Sequence, residues 1–298
     1  DPASRIFQQM LPVSMADFTR LSYQNRGLSL SYLDTAPEAT DKPVVLLLHG
    51  FPDKAEMWSG VMGHLREAGY RCIAPDTVGH GDSAMASSVA AYRMSEVTAD
   101  FIALLDQLNI NKVALVGHDW GAVLAWYLSI YFPQRVSRLV AVSVGHPSSY
   151  AHAGLEQKLR GWYTLFFQLR GVTEYLMLRD GPTSLSRLLS LHPEISEVME
   201  RMRRPGRFTA TLNLYRANMK DLLFKTYPAA QCPVLGIWSQ QDAYLTERQM
   251  RGSSRFVNAP LKVEVIPGGH WIPLDQPETI ARLTTEFLQQ DGPSRAEA

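Results

Sequence analysis

The chain has 298 residues, 46% of them hydrophobic and 19% charged, the balance of a globular enzyme able to bury a large core. Its 29 basic and 29 acidic side chains cancel, which leaves it without the basic excess a nucleic-acid binder needs. Two cysteines, Cys72 and Cys232, cannot form a disulfide framework, and each sits beside apolar sequence as a buried free thiol would. No apolar run reaches the about 18–20 residues that span a bilayer, and no charged-then-apolar signal pattern opens the chain. The expectation is a cytoplasmic protein, monomer or homodimer, without nucleic-acid or membrane partners. One basic cluster, Arg201, Arg203, Arg204 and Arg207, is balanced by Glu194, Glu197 and Glu200 and reads as a solvated loop.

Taken in order, 18–23 and 28–34 read as an antiparallel pair around the turn Asn25-Arg26-Gly27. The continuous apolar run 44–48 is a strand covered on both faces. A helix follows near 58–68, then a strand at 71–74. The stretch 95–108 places Val97, Phe101, Leu104, Leu105 and Leu108 at helical spacing. Next come strand 113–116, a helix at 122–132 stopped before Pro133, and strand 138–144. This alternation predicts an α/β fold, with a mostly parallel central sheet flanked by helices. At His146-Pro147 the rhythm breaks, and up to Pro228 the chain is helical and aromatic without a strand. It resumes with strand 233–238, helix 246–251, strand 263–266 and a closing helix at 277–289. A helical cap at 147–228, inserted after the sixth strand into a core of 1–146 and 229–298, would cover the C-terminal strand ends where open α/β sheets bind ligands. The tail 291–298 reads as frayed.

Chemistry concentrates at Gly117-His118-Asp119-Trp120-Gly121, between a predicted strand and a predicted helix. This is the small-x-nucleophile-x-small pattern of a nucleophile elbow, with Asp in place of the usual Ser. Asp is also a preferred helix N-cap, so the position has meaning only through its partners. His49-Gly50-Phe51-Pro52 follows the first buried strand, the loop that supplies one oxyanion-hole N–H in such a fold. The N–H after the nucleophile supplies the other, making Phe51 and Trp120 the expected donors. His270, in Pro267-Gly268-Gly269-His270-Trp271, comes late enough to serve as the base. Asp242 follows the preceding strand and is the expected acid, because Gly145-His146-Pro147 offers no carboxylate at the alternative place. Asp76, in a turn-rich loop, reads as structural. A carboxylate nucleophile attacks a saturated carbon and forms an alkyl ester, so the substrates should be epoxides or alkyl halides.

With these residues in place the chain resembles the soluble, bacterial-type epoxide hydrolases of the α/β-hydrolase superfamily, from about residue 18 to 288. Two cap segments carry the likeness further. Gly161-Trp162-Tyr163-Thr164-Leu165-Phe166-Phe167 resembles the family's segment bearing one ring-opening tyrosine, and Asn213-Leu214-Tyr215-Arg216 the segment bearing the second, with Leu214 where Trp is usual. The resemblance implies Tyr163 and Tyr215 as acids that polarise and protonate the epoxide oxygen, with Tyr150 or Tyr175 as less favoured substitutes for Tyr163. It implies no cofactor or metal, and a small apolar epoxide as substrate. Phe51, Trp120, Trp162, Phe166, Phe167 and Trp271 are the expected pocket walls. Two other readings compete. A haloalkane or fluoroacetate dehalogenase would use the same Asp and His, but Phe51 stands where a second halide donor is common and the carboxylate-holding arginines are missing. A non-catalytic ligand receptor on this fold would not need the full set of five groups.

Overall fold

A computed structural model describes residues 18–290, and the predicted frayed tail 291–298 lies outside them. Eight strands form one sheet: β1 (Thr19–Asn25), β2 (Leu28–Asp34), β3 (Val44–Leu48), β4 (Arg71–Pro75), β5 (Val113–His118), β6 (Val136–Val142), β7 (Val234–Ser239) and β8 (Leu261–Ile266). Their spatial order is β1-β2-β4-β3-β5-β6-β7-β8. β1 and β2 pair antiparallel, β2 joins β4 antiparallel, and all later pairings are parallel.

The two-residue period of a strand explains how helices cover both faces. In β3, Val45 and Leu47 enter the cluster packed by Trp58, Val61 and Phe287, where α1 (Ser59–Glu67) and α13 (Pro277–Gln289) lie. Leu46 and Leu48 point to the other face and meet Phe101 and Trp126, from α2 (Met94–Gln107) and α3 (Trp120–Tyr131). This second cluster continues into Phe167, Leu212 and Leu214, so the helical segment after β6 is packed onto the sheet's own core. Seven helices make up that insertion, from α4 (Pro147–Ala151) through α5 (Leu155–Arg160), α6 (Tyr163–Phe166), α7 (Val172–Met177), α8 (Leu185–Leu188) and α9 (Ile195–Met202) to α10 (Arg207–Phe224). A short helix, α11 (Glu247–Arg251), follows β7, and α12 (Ile272–Asp275) precedes α13.

Sequence and structure part in places with physical reasons. β6 begins and ends two residues earlier than predicted, at Val136 and Val142, and Ser143 just beyond it takes a φ of 75° that no strand continues. β8 starts at Leu261 rather than 263; it is an edge strand, and its polar Lys262 hides it from an apolar-run search. The arginine cluster is not a solvated loop. Arg201 lies on α9 and donates from Nη2 to the Pro52 carbonyl at 2.9 Å, and Arg207 opens α10 and donates from Nη1 to the Gly79 carbonyl at 2.7 Å. Their long side chains bury polar tips against the core, and only Arg203 and Arg204 stay exposed. Cys72 and Cys232 are buried free thiols. Asp76 is buried, accepting from Arg20, from the Ser31 hydroxyl and from the backbone N–H groups of Ala55 and Asp82.

β3, β5 and α3 approach one another most closely at two glycines. A Cβ on Gly121 would lie 1.9 Å from the Leu48 carbonyl oxygen, and one on Gly117 would lie 2.4 Å from the Gly121 carbonyl oxygen. Both obstacles are backbone and cannot rotate away. Gly121→Ala should therefore destabilise the fold by about 2 kcal/mol or more, read as a lowered urea midpoint; an unchanged midpoint would show that the elbow can spread.

Candidate active site

β5 ends at His118 and α3 begins at Trp120, so Asp119 alone makes the turn between them. It does so at φ 55° and ψ −126°, a region that L-residues avoid and that surrounding contacts must enforce. The turn aims the side chain at the loop after β3. Asp119 Oδ2 accepts the Phe51 N–H at 3.0 Å and the Trp120 N–H at 2.6 Å. The bond to Trp120 reaches the first helical residue, in keeping with the N-cap alternative, but the bond to Phe51 crosses 68 positions and no cap requires it. The positive end of the α3 dipole also favours a carboxylate there.

The other oxygen meets the histidine. Asp119 Oδ1 lies 3.1 Å from His270 Nε2, and His270 Nδ1 lies 2.8 Å from Asp242 Oδ2. Asp242 sits in the loop after β7, where Oδ1 accepts the N–H groups of Tyr244 at 2.8 Å and Leu245 at 2.9 Å. Burial raises the Asp242 carboxyl, but His270 and these two amides outweigh it and hold it below its ordinary value. Burial alone would also drive the proton off His270. The carboxylates of Asp242 and Asp119 overcome that and raise the imidazole to about 10. His118, between the elbow glycine and Asp119, supports the same histidine through Nε2, 2.7 Å from the His270 carbonyl.

Tyr163 at the start of α6 and Tyr215 in α10 hang over this arrangement, their ring centroids 6.4 Å apart. Both line cavities that also contain Asp119. Burial, reinforced for Tyr163 by the Asp119 charge and for Tyr215 by Tyr163, raises both phenols well above the ordinary tyrosine value. Both therefore stay protonated. Tyr150 lines the same cavity and is pushed up to about 12 by burial and by Asp119, whereas Tyr175 is 57% exposed and lines none of these cavities.

The expected pocket walls divide. Trp120 lines one chamber, and Phe51 and Trp271 line the other. Trp162 does not line either: it is 56% exposed, because the turn between α5 and α6 points it outward while its neighbour Tyr163 points in. Phe166 and Phe167 also lie outside the lining. Phe167 is fully buried one layer back, edge-on to Phe51 at 5.6 Å and Tyr215 at 4.9 Å, and Phe166 is half-buried against the same core. An aromatic run thus reports cap packing as well as pocket wall, and spacing does not separate the two. Sequence reasoning missed Met219 and Leu222, although they follow Tyr215 by four and seven positions on one helix face. It also missed Tyr244 and Leu245, which directly follow the Asp242 turn.

The cap is fastened to the Phe51 loop itself. His192, between α8 and α9, lies 2.7 Å from Asp53 Oδ1 through Nε2, and Arg201 bonds the Pro52 carbonyl.

Buried histidines give stability a pH signature. Burial holds His80 at about 3 and holds His118 and His146 at about 4, with the His270 charge adding to the effect on His118. Between about pH 4 and about pH 6.5, the unfolded chain binds protons that the native chain refuses, and stability falls with acidification by about 1.4 kcal/mol per pH unit for each such proton. His270 works the other way: its raised value stabilises the fold fully below about pH 6.5, and that contribution is lost as pH rises through about 10. Thermal midpoints should therefore peak near about pH 6.5, and His270→Gln should flatten the alkaline limb. A midpoint still rising from pH about 7 to about 9 would contradict this.

Residues 43–277 match the α/β hydrolase fold family. Epoxide hydrolase 3 of Xenopus tropicalis is 31% identical over 290 residues, covering 90% of this chain and 77% of that one. Epoxide hydrolase 2 of Siraitia grosvenorii is 31% identical over 293 residues, covering 83% and 92%. A solved epoxide hydrolase structure from metagenomes of hot environments superposes with a TM-score of 0.77 at 25% identity, covering 92% of this chain and 99% of that one. Relatives come from bacteria, plants and animals, so the likeness is not to bacterial members alone. The chain belongs to the epoxide hydrolase family within the α/β-hydrolase superfamily.

Proposed function

We propose that this protein opens epoxides to vicinal diols through an ester formed on Asp119. The observation that carries the reading is the division of labour between the two Asp119 oxygens. Oδ2 is occupied by two backbone N–H groups, while Oδ1 faces the histidine and the cavity that both phenols line.

In the first step Oδ1 attacks an epoxide carbon and the ring C–O bond breaks. The departing oxygen takes a proton from one phenol, Tyr163 or Tyr215, and a hydrogen bond from the other. Phenols held protonated by burial are suited to that task. Before attack His270 carries a proton, held by both carboxylates. Esterification removes the Asp119 charge, so the imidazole releases its proton and thereby balances the tyrosinate left by ring opening. In the second step neutral His270, oriented through Nδ1 by Asp242, removes a proton from water as its oxygen attacks the ester carbonyl. The negative charge then develops on Oδ2, already seated between the N–H groups of Phe51 and Trp120. Collapse breaks the acyl–oxygen bond, and the hydroxyl proton passes to the departing alkoxide. The diol leaves with the Asp119 carboxylate and the His270 imidazolium restored. A helical cap over residues 147–228 supplies both phenols and keeps bulk water from the ester.

Two features favour epoxide over halide. Both phenols line the chambers beside Asp119, where a departing oxygen needs a proton and a departing halide does not. No arginine lines either chamber among the described residues.

Single turnover in oxygen-18 water tests the route: the label should enter Asp119 first and leave the first diol unlabelled, whereas direct water attack would label that diol. His270→Gln should accumulate a covalent adduct whose mass equals that of the substrate, and the absence of any adduct would remove the two-step mechanism. Replacing both Tyr163 and Tyr215 by Phe should lower kcat/KM by about 100-fold or more without dissociating the Asp119–His270 pair; retained ring opening would show that the acids lie elsewhere.

A further inference from the structure

The cavity at Asp119 has two arms, which meet between Tyr163 and Tyr215 and end differently. The smaller arm runs past His270 to Phe51, Leu189, Tyr244 and Trp271. Each of these five is 9% exposed or less, and none of them lines the surface groove that borders the other arm. Its end wall is fixed at both edges. The Tyr244 hydroxyl donates to the Leu188 carbonyl of the cap at 2.6 Å, and the Tyr244 N–H donates to Asp242 Oδ1 at 2.8 Å. Edge-on contacts to His270 at 5.0 Å and Trp271 at 5.7 Å hold the ring between them. Swinging Tyr244 aside would break the cap bond to the part-buried Leu188 carbonyl.

The larger arm passes Trp120, Met219 and Leu222 to reach Tyr150 and Thr164. Those last two residues also line a groove at the protein surface. On its rim Leu165 is 66% exposed and Phe224 is 83% exposed. The larger arm therefore shares a wall with a groove at the surface, whereas the smaller, blind arm stops at an anchored aromatic plate.

Resting on the epoxide reading above, we infer that the preferred substrates are one-armed: terminal epoxides with a long apolar substituent. That substituent runs through the Tyr150–Thr164 neck, and the blind arm admits only hydrogen or a methyl group. Leu189 and Tyr244 set this limit and are specificity-determining residues. Each methylene added on the open side is desolvated by apolar walls, whereas a second chain on the blind side meets a packed wall that cannot yield.

The test compares kcat/KM for diol formation from terminal epoxyalkanes of increasing length with that of internal isomers of equal carbon number carrying ethyl or longer groups on both carbons. Terminal substrates should gain about threefold per methylene until the chain reaches the rim, and internal isomers should fall at least about tenfold below them. Leu189→Ala should raise the internal isomers at least about fivefold relative to the terminal ones. Thr164→Phe should depress long terminal epoxides while sparing epoxypropane. Equal rates for internal and terminal isomers, or a Leu189→Ala effect that is the same for both, would overturn the inference. Diol from no epoxide at all would overturn the functional reading beneath it, a separate result.

Discussion

Everything in this molecule depends on holding one carboxylate almost out of water. Asp119 is 8% exposed, and an unpaired charge at such a site would cost several kcal/mol. The fold meets that cost with two backbone N–H groups on one oxygen, an imidazolium on the other and a helix N-terminus below. Asp242 repeats the solution with its own pair of amides and the far side of the same imidazole. Two carboxylates thus share one cation, and four amides carry the remaining load. Because amide donors are part of the backbone, they are already oriented and cost no reorganisation to hold negative charge.

That hold dictates the rest of the architecture. Phe51 N–H comes from the β3 loop and Trp120 N–H from the β5–α3 turn, so β3 and β5 must be adjacent and parallel, as they are. Gly121 lets α3 sit against the end of β3, and the positive φ of Asp119 is the local strain that this crossing imposes. The cap is then tied to the same loop by Arg201 on the Pro52 carbonyl and by His192 on Asp53. Loop and cap are thereby fastened together, with both phenols held over the Asp119 carboxylate.

The cap also separates chemistry from selectivity. Tyr163 and Tyr215 mark the junction of the two chambers, while residues one helical turn or one loop position away form their ends. A substitution at Leu189 or Met219 can reshape an arm without touching an atom of the triad. The paired rings of Phe51, Phe167 and Tyr215 stiffen the junction from behind, which is why aromatic residues are dense there even where they meet no cavity.

Much of this was written in the chain itself. Apolar runs and helical spacing were enough for the parallel sheet and for the break at His146-Pro147, because burial of a strand or a helix face leaves a periodic trace. Asp119 and His270 stood out because each follows a strand in a glycine-bearing turn, and Asp242 because it follows the preceding strand where Gly145-His146-Pro147 offers no carboxylate. What the chain could not reveal depends on distances between segments far apart in sequence. Whether Trp162 or Tyr163 faces inward turns on the rotation of one short helix, and whether Arg201 is solvated or buried turns on where Pro52 lies. One end wall of the smaller chamber is held by the Tyr244 hydroxyl, which reaches the Leu188 carbonyl across 56 residues. Local pattern determined which groups could react; only the tertiary structure decided what may reach them, because the walls of a cavity are built from residues that share no sequence neighbourhood.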